Sequence, residues 1–179
     1  RKQMTEIECR SYKAPRYSED IDLVQIKPGP IKPILQRIDE VITFFNEKRS
    51  TRVRAHGAKV LYRFTSEYED IPLRLKIEIN CKEHFNILDW VKFPFMIHND
   101  WFSRAIAIRT YNVNELLGTK LRAIYQRSKG RDLFDIYYSN IKIDLDFEQI
   151  LFCYREYMKF SVGKVPSYKE FLLNLKEKE

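Results

Sequence analysis

The stretch RYSEDIDLVQI begins at Arg16 and sets Asp20 and Asp22 one residue apart at the head of an apolar run. On a strand, that spacing turns both carboxylates to one face and sends Ile21 and Leu23 to the other, towards a core. Two carboxylates about 4 Å apart repel by roughly 4 kcal/mol at an effective dielectric near 20. A divalent cation such as magnesium removes that cost and keeps open positions for substrate phosphates. Read alone, D-x-D better fits a solvated strand end whose aspartates face water. Further along, PLRLKIEIN (Pro72 to Asn80) alternates. Leu73, Leu75, Ile77 and Ile79 share one side, and Arg74, Lys76, Glu78 and Asn80 the other. If the two strands are neighbours, Glu78 joins the aspartates. Three acids so placed can hold one or two metal ions, which activate a hydroxyl and stabilise a leaving pyrophosphate.

A second constellation lies in NVNELLGTKLRAIYQRSKGRDLFDIYY, from Asn112. Lys120, Ile124 and Arg127 return to one helical face, while Leu116, Leu117, Leu121 and Ile124 serve a core. Gly118 and Thr119 are small enough to admit a ligand or another backbone beside Lys120. After Gly130, Asp132 and Asp135 share a face, Arg131 and Asp135 are spaced to pair, and Leu133, Ile136 and Tyr137 pack inward. A lysine acts on phosphates as a point charge and an arginine grips them with a fork. An aspartate beside them acts as a base or orients the lysine. By itself the stretch is better read as a helix pair carrying surface ion pairs, each contributing under about 1 kcal/mol.

These groups need a scaffold. A strand is expected over 20–26, a Pro/Gly loop over 27–33, and an amphipathic helix over 34–47 (Ile34, Leu35, Ile38, Val41, Ile42, Phe45). Strands follow over 59–66 and 72–80. Residues 81–104 read as irregular, and a short strand covers 105–110. Helices are expected over 113–127, capped by Asn112 or Asn114, and after Gly130. Two more open at Asp146 (DFEQ) and Ser167 (SYKE), both with the capping-box form. Mixed strands and helices first, then helices alone, mean an α+β class. The final helix carries an apolar stripe (Phe171, Leu172, Leu175) that packs on the domain.

The chain has 179 residues, 44% hydrophobic, 14% aromatic and 32% charged, enough for one cored domain with a helical appendage. Its net charge is +7. Clustered, that excess suits a polyanion such as nucleic acid or a nucleoside triphosphate. Cys9, Cys81 and Cys153 are scattered and odd in number. They argue for reduced thiols in the cytoplasm, against a disulfide framework and against a zinc site. His56, His84 and His98 have no metal-ligand spacing. Trp90, Phe93, Phe95, Trp101 and Phe102 can stack bases but are read as core. No run approaches the roughly 18–20 apolar residues of a membrane span, and no secretory signal is visible. The first residue is Arg1 and not Met, so the natural chain is expected to begin earlier.

RYSEDIDL, KIEIN and ELLGTKLRAIYQRSKGRDLFDIYY, in that order, resemble the motifs of the AbiEii/AbiGii-type nucleotidyltransferase toxin family, within the wider nucleotidyltransferase superfamily. The resemblance spans roughly residues 1–140, and its specific part is T-K-L-x-A-I-x-x-R-x-x-x-R-D-x-x-D. It implies a polymerase-β-like fold: a mixed sheet flanked by helices (1–111), with a C-terminal helical part (112–179). Asp20 and Asp22 would be the metal-binding aspartates, Glu78 the third acid, Lys120 the active-site lysine and Asp132 the motif aspartate. Arg127, Arg131 and Asp135, with Lys76, Thr5 and Ser18, would contact nucleotide or acceptor. The resemblance further implies Mg2+ (or Mn2+) and transfer of a nucleoside monophosphate from an NTP to an acceptor, tRNA in some relatives. The setting would be a toxin–antitoxin or abortive-infection system, with an antitoxin as partner.

One departure stands out. Where the family has K-G-G-T, a phosphate-cradling turn, this chain reads Lys2-Gln3-Met4-Thr5. Side chains at Gln3 and Met4 obstruct close backbone approach. An alternative therefore stays open: a catalytically weak or inactive relative that binds RNA or an antitoxin through its basic surface. A plain metal-dependent nuclease fits the carboxylates but not the lysine–arginine helix.

Overall fold

A computed structural model describes residues 20–44, 49–66, 69–98, 100 and 102–178. The chain forms two compact units, Arg1–Phe85 and Asn86–Glu179. The division expected from the motifs, after residue 111, differs from this one by the segment 86–111.

In the first unit, strands β1 (Asp20–Val24), β2 (Ser50–Arg54), β3 (Gly57–Thr65) and β4 (Pro72–Asn80) form one mixed sheet in the order β1-β4-β3-β2. β1 runs parallel to β4, and the other pairs are antiparallel. The alternation in the sequence is the cause. Ala58, Val60 and Tyr62 of β3 and Ile77 and Ile79 of β4 are buried on one face. Helix α1 (Lys32–Val41) covers that face through Ile34, Leu35 and Ile38. Pro33, expected in the loop, lies in the first turn of α1, where its missing N–H leaves no intrahelical bond unmade. The helix ends at Val41, short of the expected 47, and Phe45 to Glu47 lie outside the described residues. Asp39 accepts hydrogen bonds from Tyr62 (3.1 Å) and Arg49 (2.6 Å), which ties α1 to the sheet. Ile21 and Leu23 do turn away from the aspartates, but they remain exposed. They line a groove of about 480 Å³ with Pro33, Ile34 and Ile38.

The second unit opens with a hairpin, β5 (Val91–His98) and β6 (Ser103–Thr110), followed by α2 (Val113–Gln126), α3 (Gly130–Lys142), α4 (Phe147–Val162) and α5 (Tyr168–Lys176). The segment expected to be irregular thus holds β5 and the start of β6. Phe93, Phe95 and Phe102 are exposed and not core; Trp101 lies outside the described residues.

Asn112 caps α2, accepting from the Asn114 N–H at 2.9 Å. Ser167 and Glu170 close the capping box of α5. The box expected at Asp146 closes only in part. Asp146 accepts from the Gln149 N–H (3.0 Å), while the Gln149 side chain donates to the Asp146 carboxylate (2.7 Å) and the Asp146 N–H goes to Asn114 (3.3 Å).

The core here is Leu117 and Ile124 of α2 against Ile150, Cys153, Tyr154, Tyr157 and Met158 of α4. Leu116, assigned to the core by periodicity, is exposed, as are Leu133 and Tyr137 of α3. On α3 the fully buried side chain is Asp132, so the helix turns its acid, not its apolar stripe, inward.

Gly118 permits the close approach of α2 and α4. A Cβ there would sit 2.7 Å from the Cys153 Cβ and 2.9 Å from backbone atoms of Ile150 and Tyr154. Backbone cannot swing aside as a flexible side chain can. Gly118→Ala is expected to lose about 1–3 kcal/mol in urea unfolding. Gly130→Ala, with nothing within 4 Å of the added methyl, should be neutral or mildly stabilising.

Candidate active site

The parallel register sets Asp20 opposite Lys76, Asp22 opposite Glu78, and Val24 opposite Asn80. Since side chains alternate with period two, Asp20, Asp22, Lys76 and Glu78 all rise from the face opposite α1. β3 adds Lys59, which is opposite Glu78. The charges interleave: the Lys76 Nζ lies 2.6 Å from Asp20 and 3.3 Å from Glu78, and the Lys59 Nζ lies 2.7 Å from Glu78. The hydrogen bond to Asp20, outweighing burial, raises the Lys76 ammonium above the usual lysine value. The hydrogen bond from Lys59, aided by Lys76 and opposed by partial burial, holds Glu78 below the usual carboxylate range.

Among the described residues no three acid, histidine or cysteine side chains converge closely enough to share an ion. Glu78 is instead engaged by the two lysines. The donor chemistry nevertheless suits a hard cation, being carboxylate oxygens on adjacent strands. The Lys76 ammonium already sits between Asp20 and Glu78, so this face accepts positive charge between its acids. The Lys59–Glu78 pair is about half exposed on both sides, and such pairs contribute little. A cation can displace it at small cost.

In the second unit, α2 ends where Arg127 turns extended (φ −145°, ψ 159°). That turn brings its guanidinium back over α3. The Arg127 Nε is 2.7 Å from one Asp132 oxygen and its Nη2 2.9 Å from the other, a two-pronged grip. The Lys120 Nζ lies 3.2 Å from Asp132 and 2.8 Å from Asp135. Asp135, expected to pair with Arg131, thus engages Lys120; Arg131 is exposed. Burial alone would raise the Asp132 carboxyl, but the Arg127 fork and then Lys120 outweigh it and hold it below the usual range. Its place in the first turn of α3 favours the anion further. Asp132 orients Lys120 and Arg127. Both remain partly exposed, 30% and 43% of their side-chain surface, and able to meet a phosphate. Thr5 and Ser18, and the Lys2-Gln3-Met4 turn, lie outside the described residues.

One buried acid escaped the sequence pattern. Glu115 is fully buried and accepts from the Ile87 and Leu88 N–H groups (both 2.9 Å) and from the Tyr157 hydroxyl (2.7 Å). It ties the segment before β5 to α2 and α4. On paper it is one more polar residue near a helix start, and nothing local marks it as buried.

Over the described residues the chain thus folds as a mixed sheet with a helix on one face, followed by a hairpin and four helices. Two crystal structures share this fold. A candidate nucleotidyltransferase from H. pylori superposes with a TM-score of 0.54 at 16% identity, covering 94% of this chain and 79% of its own. JHP933 from Helicobacter pylori superposes at 0.55 and 16% identity, covering 93% and 76%. The family model for the nucleotidyl transferase AbiEii toxin of type IV toxin–antitoxin systems matches residues 10–178, and the chain belongs to that family. No curated protein matches it.

Because Asp132 is held ionised in the fold, its stabilisation is complete above the ordinary carboxylate pKa near 4 and is lost as pH falls from there through its lowered folded value. Asp132→Asn leaves two cations facing a neutral amide. Unfolding at pH 7 should show a loss of about 2 kcal/mol, below the usual figure for a fully buried pair because both partners are partly solvated. The gap between wild type and variant should narrow at pH 3.

Proposed function

We propose that this chain joins a nucleoside monophosphate, taken from an NTP, to a hydroxyl of an RNA acceptor such as tRNA, as the toxin of a cytoplasmic toxin–antitoxin pair. The observation that carries the reading is the β1–β4 register, which puts Asp20, Asp22 and Glu78 on one sheet face. Asp20 and Asp22, with Glu78, would hold Mg2+ or Mn2+. When bound, such an ion lowers the pKa of the attacking hydroxyl and offsets the charge of the leaving pyrophosphate.

The chain's own groups divide the remaining work. Lys59 and Lys76 release their carboxylates when a stronger cation arrives. Glu78, freed from Lys59, takes the proton of the acceptor hydroxyl. The acceptor oxygen then bonds to the α-phosphorus, the bond to the β-phosphate oxygen breaks, and pyrophosphate leaves. Lys120 and Arg127, steadied by Asp132, neutralise phosphate charge. Arg131 and Asp135 support nucleotide or acceptor contacts. Thr5 and Ser18 belong to the same nucleotide-binding set, on the resemblance alone. The antitoxin would be a protein partner.

The test uses α-labelled NTPs, Mg2+ and total tRNA. Label should enter RNA with the wild type and fall to background with Asp22→Ala, an exposed position whose change should leave thermal unfolding within about 0.5 kcal/mol. Undiminished transfer by the variant would overturn the assignment. Salt-sensitive RNA binding without transfer would point to an inactive binding relative, which the loss of the two glycines at Gln3 and Met4 makes the natural second reading. Shortened RNA would point to a nuclease.

A further inference from the structure

The β5–β6 hairpin shows an arrangement that catalysis does not use. Phe93 lies opposite Ile108 and Phe95 opposite Ile106, so the four side chains share one face. All four are exposed, Phe93 by 55% and Phe95 by 43%. A two-stranded ribbon rarely leaves such a face bare, because it has too little core to hold itself together. The charge on the same ribbon is one-sided. Lys92 and Arg109 stand directly opposite each other on the second face, and Arg104 stands opposite Ile97 on the aromatic face. Like charges across a strand pair are destabilising. The two strands, VKFPFMIH and SRAIAIRT, contain no acid, and these three cations form no ion pair among the described residues.

We propose that this hairpin is a platform for a single-stranded segment of RNA. Bases stack on Phe93 and Phe95, and a phosphate is held by Arg104 on the same face, while Lys92 and Arg109 on the second face add to the positive field of the ribbon. The two rings stand about 7 Å apart along one strand, room for an unstacked base on each. Stacking on exposed sheet aromatics beside cations is the common physics of single-strand recognition, and it tolerates sequence. Cations without acids favour a polyanion over a protein partner with a mixed-charge rim. The acceptor role of that RNA rests on the function proposed above; the binding surface does not.

The experiment measures binding of a fluorescein-labelled, mixed-sequence RNA of about 12 nucleotides to the full chain, without triphosphate, by anisotropy over a salt series. Phe93→Leu and Phe95→Leu keep the face apolar and protect folding, yet remove the stacking surface. Each should weaken binding roughly tenfold, and Phe93→Trp should restore it. Arg104→Gln should lower the slope of log affinity against log salt by roughly 0.7, and Lys92→Gln and Arg109→Gln by less. Leucine variants that bind as well as wild type would overturn the platform. So would sedimentation showing a wild-type dimer that Phe93→Ser dissociates, which would make the face a contact between copies. Label transfer that persists while RNA binding ignores the hairpin would refute only the platform. Hairpin-dependent binding with no transfer would refute only the enzymatic reading.

Discussion

The parallel pairing of β1 on β4 is the constraint on which the acid face depends. Because strand side chains alternate, a slip of one residue would turn Asp20 and Asp22 towards the face covered by α1. Burial of Ile77 and Ile79 under that helix fixes which face of β4 is dry. The ladder is then carried past the end of β1: the Gln25 N–H donates to the Asn80 carbonyl at 2.9 Å. The buried Gln25 side chain reaches the Gly29 carbonyl at 2.9 Å, and the His84 ring nitrogen lies 2.6 Å from the Gln25 carbonyl. Apolar burial on one side and hydrogen bonds at the strand end together hold charged residues in fixed order on the other.

The two charged groups are built to different standards. On the sheet, the two ion pairs of Glu78 are partly exposed and made by single ammonium groups, an arrangement that exchanges partners readily, while Lys76–Asp20 is the more sheltered pair. Between α2 and α3, Asp132 has no exposed surface and is gripped from two directions by an arginine, so its geometry is over-determined. The first suits a place where an ion or phosphate must enter and leave. The second suits a support that keeps Lys120 and Arg127 aimed outward.

Much of this was legible in the sequence. PLRLKIEIN alternates, and β4 occupies Pro72–Asn80 as expected. The caps at Asn112, Asp146 and Ser167 fall where side-chain chemistry puts them. β5 was not legible: VKFPFMIH has a central proline, and neither of its faces is buried, so the alternation that betrays a strand is missing. β2, STRVR, is short and wholly exposed. Periodicity also misplaced Leu116, Leu133 and Tyr137, because it marks an apolar stripe without saying whether anything covers it. For Glu115, hydrogen-bond partners 27 to 42 residues away decide burial, and no residue-by-residue pattern contains them. Lys120 and Arg127, the partners of Asp132, lie in the same stretch, but spacing does not show that the turn at Arg127 buries the acid between them. The site candidates themselves came from spacing and resemblance, and the pairing register adds what spacing cannot, namely which strand lies beside which.

The central claim is that Asp20, Asp22 and Glu78 form a cation site. Mn2+ binding followed by electron paramagnetic resonance tests it without relying on turnover. Wild-type protein should deplete free Mn2+ saturably and Mg2+ should compete, whereas Asp22→Ala and Glu78→Gln should bind at least tenfold more weakly. Equal Mn2+ affinity in wild type and both variants would contradict the claim.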